Sequence, residues 1–242
     1  MSPMATPHHR IGVSRGQVDR AGIALRDWYD SGLLADDDVE RASAVLNAYR
    51  SEFKAPLRSV VMGLRSAVKT SGAPIVVAER LKRQPRIIGK LQRFRHMELT
   101  RMQDIAGCRA ILPDLDTVAG VRRRIERQKS TIVKVDDYNA DPKASGYRAV
   151  HFVVQRDGAL VEIQLRTTGQ QRWAKLVEDL DASYRLNLKD EQGPTEVLDY
   201  LRVYASSIAA FETTGEVNLE LVRMGAGRRY AAERILRFGG LR

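Results

Sequence analysis

Among the 242 residues there is one cysteine, so no internal disulfide can form, and no apolar run approaches the roughly 18 residues that a membrane span requires. The first residues also lack the apolar core of a signal peptide, and a cytoplasmic location without membrane attachment is therefore expected. Cys108 lies within the run Ile105–Leu112 and reads as a buried thiol. Histidine is scarce as well: His8, His9, His96 and His151 are the whole set, with no His-Asp pair to build a hydrolytic metal site. No internal repeat is visible. What the chain does have is a hydrophobic fraction of 43%, enough for one substantial core, and a net charge of +10 with a pI near 9.9. That excess of cations favours a polyanionic partner, although a solvated basic face has the same composition.

Patterning divides the chain. Residues 1–16 mix Pro, Ser, Thr, Gly and His without period and read as a flexible leader. Residues 17–72 carry helical periodicity, with Asp36–Asp38 as expected N-terminal caps of a second helix. Strands fit 75–82, 107–112, 131–135, 147–155 and 159–166. Helices fit the stretch from Pro85 to Arg95, 116–128, 170–184, 194–213 and 228–237, with Gly225-Ala226-Gly227 as a break before the last. A core over residues 73–185 with helices and a basic tail over 186–242 follows, in a mixed α/β or α+β domain.

The most informative segment is Tyr147–Thr167, two alternating strands about a turn at Asp157-Gly158. The two-residue period sets Glu162, Gln164 and Arg166 against Val161, Ile163 and Leu165, and puts Tyr147, Ala149, His151 and Val153 on one side of the preceding strand. A strand of this kind is commonly a solvated outer face. Here the polar, Pro- and Gly-punctuated loop Asp137–Gly146 would bring Lys143 and Tyr147 to the same surface, as binding loops on a rigid sheet do.

Three blocks together resemble the synthetase domain of the RelA/SpoT-type alarmone synthetases, especially its small members. They are Arg80-Leu81-Lys82 with Lys90; Asp104-Ile105-Ala106-Gly107-Cys108-Arg109; and Asp137-Tyr138 through Pro142–Arg148 and His151 to Glu162–Thr167, with Trp173-Ala174 behind. The resemblance covers about residues 75–180. It implies a nucleotidyltransferase-like mixed five-stranded sheet flanked by helices, and transfer of the β,γ-pyrophosphate of ATP to a ribose 3′-hydroxyl. By match of position it implies Asp104 as a Mg²⁺ ligand and Glu162 as the essential acidic residue, which either helps hold the metal or orients and deprotonates the attacking hydroxyl. Asp104 alone would also read as a cap or turn aspartate. Arg80, Lys82, Lys90 and Arg109 fall on the ATP side, the two arginines as planar partners for adenine. Tyr147 falls at the position that stacks the acceptor base, and Lys143, His151, Gln164 and Arg166 line the acceptor side, with a strand histidine as the alternative reading of His151.

Departures from the pattern bear on the acceptor. Asp136 stands where many synthetases have a basic residue, Lys175–Leu180 replaces a usual Glu-His pair, and Arg86 replaces a serine. In these respects the chain resembles toxin-type small alarmone synthetases, some of which pyrophosphorylate the 3′ end of tRNA and so need a neutralising antitoxin. The expected acceptor is thus tRNA, with GDP or GTP as the alternative and a silent nucleotide- or RNA-binding regulator as the reading from another class. The clusters Arg122-Arg123-Arg124 with Arg127 and Lys129, and Arg223, Arg228, Arg229, Arg234 and Arg237, are candidate RNA tracks or ordinary solvated faces. Oligomeric state is not legible in the sequence.

Overall fold

The structure, a computed structural model, describes residues 12–70, 72, 76–128, 131–188 and 191–238. His8, His9, Ile75 and Lys129 lie outside them. The N-terminal helices are α1 (Arg15–Ser31), α2 (Asp36–Glu52) and α3 (Lys54–Lys69). Ser14 and Gln17 form a reciprocal capping box that starts α1 inside the stretch expected to be leader, and Gly32 in the left-handed region ends it. Asp36–Asp38 do not cap α2 as expected. Ala35 holds the cap position, and the three carboxylates occupy the first turn, where they act on the helix dipole.

The sheet comprises β1 (Val76–Leu81), β2 (Ala106–Leu112), β3 (Thr131–Asp137), β4 (Val150–Arg156) and β5 (Ala159–Thr167), in the order β1-β2-β5-β4-β3. Only the β2–β5 pair is parallel. α4 (Gln84–Arg93), with Pro85 in its first turn, follows β1, and α5 (Leu115–Glu126), capped by Asp114, crosses from β2 to β3. β4 and β5 meet across Asp157 and Gly158, both at positive φ, as a two-residue hairpin requires. Tyr147 lies outside β4, contrary to the expected start of that strand. A turn in which Gly146 N–H donates to the Lys143 carbonyl precedes it, and regular pairing begins at Val150.

One face of the sheet is apolar. Val150, Phe152 and Val154 of β4, Val161, Ile163 and Leu165 of β5, and Cys108 of β2 are buried in a core with α3, α4 and α5. The opposite face is polar at its centre and covered at one end by α6 (Thr168–Tyr184), α7 (Thr195–Thr214) and α8 (Leu219–Phe238), whose own cluster includes Trp173, Leu201, Ala205 and Ala232 with Tyr147 and Ala149. α8 is continuous through Gly225 and Gly227, so the expected break there is absent. α7 is fixed by a largely buried ion pair between Arg148 and Glu212 at 2.7 Å, and Glu212 also accepts from Thr167 Oγ1 and, at 3.3 Å, from Gln170.

Candidate active site

Register carries the site residues across the polar face in two rows. Arg80, Gly107, Glu162 and Val153 are successive partners, as are Ala78, Arg109, Gln164, His151 and Asp136. Gly107 puts no side chain between Arg80 and Glu162, so the strands form the floor of a cleft of about 230 Å³. Nine of the eleven expected residues line it: Arg80, Asp104, Arg109, Lys143, Tyr147, His151, Glu162, Gln164 and Arg166. The other two, Lys82 and Lys90, approach from the side and hold Asp104, Lys90 Nζ lying 2.8 Å from Oδ1 and Lys82 bonding to Oδ2. Because β1 and β2 carry Arg80 and Arg109 while β4 and the preceding turn carry His151, Tyr147 and Lys143, the cleft has two ends with Glu162 between them.

Both carboxyls are held ionised. Burial pushes Asp104 up, but the Lys82 charge and the hydrogen bonds from Lys82 and Lys90 more than offset it, leaving it below the ordinary range. Lys82 is also lowered: its burial outweighs a carboxylate that it shares with Lys90, and Lys90 and Arg80 repel it. Glu162 is likewise pushed up by burial yet lowered on balance, by the hydrogen bond and charge of His151 and by Gln164. Burial lowers Arg109, with Arg166 adding to the effect and Glu178 of α6 opposing it.

A closed ring of hydrogen bonds joins the middle of the cleft to one end. His151 Nδ1 lies 3.1 Å from Glu162 Oε1, and Gln164 Nε2 donates to Oε2 at 2.6 Å. Arg166 Nη2 donates at 2.8 Å both to Gln164 Oε1 and to the Tyr147 hydroxyl, which lies 2.6 Å from His151 Nε2. The Nδ1 side of His151 faces Glu162 Oε1, and the Gln164 and Arg166 donors each have an acceptor within the ring. Tyr147 is only 9% exposed. Its ring is flanked by Arg166 at 5.3 Å and Lys143 at 5.7 Å, the latter also 4.9 Å from the centre of Tyr138.

The donor set suits Mg²⁺: two ionised carboxylates on one cleft supply hard oxygens, and this cation binds typically through one or two carboxylates with substrate phosphates completing its shell. Gly107, Ser145, Trp173 and Glu178, to which the sequence assigns no site role, also line the cleft. A glycine inside a strand was the one available signal, since it marks a close approach. The two basic clusters are in good part committed within the fold. Arg122 pairs with Glu126 and Asp137, Arg124 donates to the carbonyls of Ala67 and Thr70, Arg228 pairs with Asp199, and Arg229 with Glu233.

Comparison with known proteins identifies the family. Residues 79–188 match the region found in RelA/SpoT proteins. An uncharacterized Mycobacterium tuberculosis protein is 31% identical over 199 residues, spanning 78% of this chain and 67% of its own. The GTP pyrophosphokinase YjbM of Bacillus subtilis is 35% identical over 103 residues, 39% of this chain and 49% of that one. Among solved structures, small alarmone synthetase 1 of Bacillus subtilis bound to its product pppGpp superposes with a TM-score of 0.55 at 29% identity, over 67% of this chain and 92% of that chain. A GTP pyrophosphokinase family protein from Streptococcus pneumoniae gives 0.55 at 28%, over 78% and 97%. By sequence and by fold the chain belongs to the RelA/SpoT family, with the fold of its small alarmone synthetases.

Proposed function

We propose that the chain is an ATP-dependent pyrophosphokinase whose acceptor is the 3′-terminal ribose of tRNA. The observation that carries the reaction class is a pair of carboxylates, Asp104 and Glu162, held ionised on one cleft with arginines at one end and an aromatic–imidazole–lysine group at the other. Phosphoryl-type transfer depends chiefly on positioning and charge stabilisation, and these residues supply both. Arg80 and Arg109 hold adenine between planar guanidiniums, while Lys82 and Lys90 turn from Asp104 toward the phosphates. Asp104 and Glu162 are the residues that would hold Mg²⁺, which when bound neutralises phosphate charge. The acceptor base takes the place of the Lys143 ammonium against Tyr147, bringing its ribose toward Glu162. The 3′-oxygen then bonds to the β-phosphorus, the bond from that phosphorus to the α–β bridging oxygen breaks, AMP leaves, and the hydroxyl proton passes to the Glu162 carboxylate.

The preference for tRNA rests on Asp136. It follows His151 in the register row and pairs with Lys134 at 2.8 Å, so the charges cancel where a free nucleotide's phosphates would need cations. An enzyme acting on tRNA would arrest translation and would require a neutralising partner protein. GDP or GTP is the second reading, favoured by the relative named a GTP pyrophosphokinase and the neighbour bound to pppGpp. The two separate when γ-labelled ATP is offered with deacylated tRNA, GDP or GTP. Label entering tRNA, lost on blocking its 3′ end, and a rate falling about tenfold or more between 50 and 200 mM salt support the first. Label on GDP or GTP alone refutes it.

A further inference from the structure

The five arginines of α8 divide into two kinds. Arg228 and Arg229 are spent inside the fold, on Asp199 and Glu233. Arg223, Arg234 and Arg237 are exposed and make no ion pair among the described residues. Helical spacing sets these three on one side. At 3.6 residues per turn Arg223, Tyr230, Arg234 and Arg237 fall within about 60° of one another, and Gly225, Ala232 and Leu236 point the opposite way. The packing agrees with that division: Ala232 and Leu236 join the cluster that α6 and α7 form, and a Cβ on Gly225 would stand 3.8 Å from Val203 of α7. Tyr230 is 66% exposed in the middle of the outer stripe, and a Cβ on Gly227, one turn before it, would meet nothing within 4 Å, so the ring has open space beside it. Glu233, the one acidic residue between Arg223 and Arg237, is already taken by Arg229.

An outward stripe of uncompensated cations with an aromatic among them matches a nucleic acid, which offers phosphate charge and flat base faces together. The core of a protein interface is by contrast depleted of charge. Arg223 and Arg237 stand seven residues to either side of Tyr230, about 10 Å along the helix and the rise of about three nucleotides of a stacked strand. α8 is also tied to the acceptor end of the cleft. Arg228 and Arg202 share Asp199, and Arg202 donates to the Ala144 carbonyl at 3.2 Å, so two side chains separate α8 from the turn that carries Lys143 and Tyr147. We infer that the outer face of α8 is an RNA-binding surface, on which Arg223, Arg234 and Arg237 contact the phosphates of one strand and Tyr230 stacks an unpaired base. This gives the tRNA acceptor a second contact outside the cleft, and rests on that reading of the acceptor.

The test measures equilibrium binding of deacylated tRNA without ATP, from about 50 to 200 mM salt, for wild type, R223Q/R234Q/R237Q and Y230A. R58Q/R65Q/K69Q removes the same charge from α3, on the far side of the sheet, and serves as the control. The arginine variant should bind tRNA about tenfold or more weakly, with the slope of log affinity against log salt reduced by about 2 to 3. Y230A should bind about fivefold or more weakly at an unchanged slope, because stacking releases no counterions. In both, KM for tRNA should rise with the dissociation constant while kcat stays within twofold. Unchanged tRNA affinity in the two α8 variants overturns the inference and leaves the stripe to an acidic protein; an equal loss in the α3 control overturns it in favour of overall charge. Wild type that binds tRNA through α8 but labels only GDP or GTP sinks the proposed acceptor and upholds the surface. Wild type that binds no RNA overturns both.

Discussion

Glu212→Ala removes a carboxylate that ties α7 to Arg148, just ahead of β4, and to Thr167 at the end of β5. The carboxylate pairs with Arg148, accepts from the Thr167 hydroxyl that also caps α6, and accepts from Gln170, whose side chain also bonds Asn139. The side chains of Arg148 and Glu212 are 11% and 7% exposed, so the arginine left behind stays largely out of water. Breaking a buried pair from one side costs about 3–5 kcal/mol, because the surviving charge has no compensation. With a urea m-value of about 2–3 kcal/mol/M for a chain of this size, the urea midpoint should drop by about 1–2 M. The double variant Arg148→Met/Glu212→Leu should recover most of the loss, since apolar replacement of both partners is often neutral. Urea unfolding followed by circular dichroism reads both. A Glu212→Ala loss under about 1 kcal/mol, or a double variant as unstable as the single, would refute this account of how α7 is held.

Four further outcomes follow from the same geometry. Gly146→Ala, with its positive φ and the 2.6 Å approach of Ala205, should destabilise by about 2 kcal/mol or more in thermal unfolding; a neutral result would mean that α7 does not press on the turn. Cys108 is buried on the apolar face and its thiol pushed up to about 12, so iodoacetamide at pH 8 should leave the native protein unlabelled and label it fully in urea. Asp104 and Glu162 titrate lower when folded than unfolded, so their contribution to stability is complete above about pH 5 and disappears as pH falls through their depressed folded values. Unfolding midpoints measured from pH 3 to 7 should rise with pH, and the rise should be shallower in Asp104→Asn. Asp104→Ala and Glu162→Ala should each lose transfer by at least about 10³-fold while circular dichroism stays native, and full activity in either would remove the proposed site.

The sheet was legible in the sequence because its period is simple. Alternation alone assigned Val161, Ile163 and Leu165 to one side of β5 and Glu162, Gln164 and Arg166 to the other, and the core contains the first set. The hairpin at Asp157-Gly158 was equally plain from turn chemistry. What escaped is what depends on distant contacts. α8 runs through two glycines because its packing against α7 overrides the local cost of glycine in a helix, so local signals implied a break that does not exist. The hydrogen-bonded ring from His151 through Glu162, Gln164, Arg166 and Tyr147 requires the β4–β5 register together with the turn that turns Tyr147 inward. Ser145 carried no site role in the sequence, and its burial, beside a turn whose Gly146 meets Ala205 of α7, is a product of distant contacts. The basic clusters were legible as RNA tracks or solvated faces alike, and the partners that Arg122, Arg124, Arg228 and Arg229 have within the fold depend on distant contacts or on helix placement.

The central claim is intact transfer of pyrophosphate from ATP to a 3′-hydroxyl, and the ratio of products tests it most directly. Purified protein with Mg²⁺, ATP carrying label in both the α- and γ-phosphates, and each acceptor in turn should yield AMP and γ-labelled acceptor in equal amounts, with neither formed by Glu162→Ala or with a 3′-blocked acceptor. Acceptor that stays unlabelled under every condition, with ATP either unchanged or broken down to ADP and free phosphate, would contradict the account.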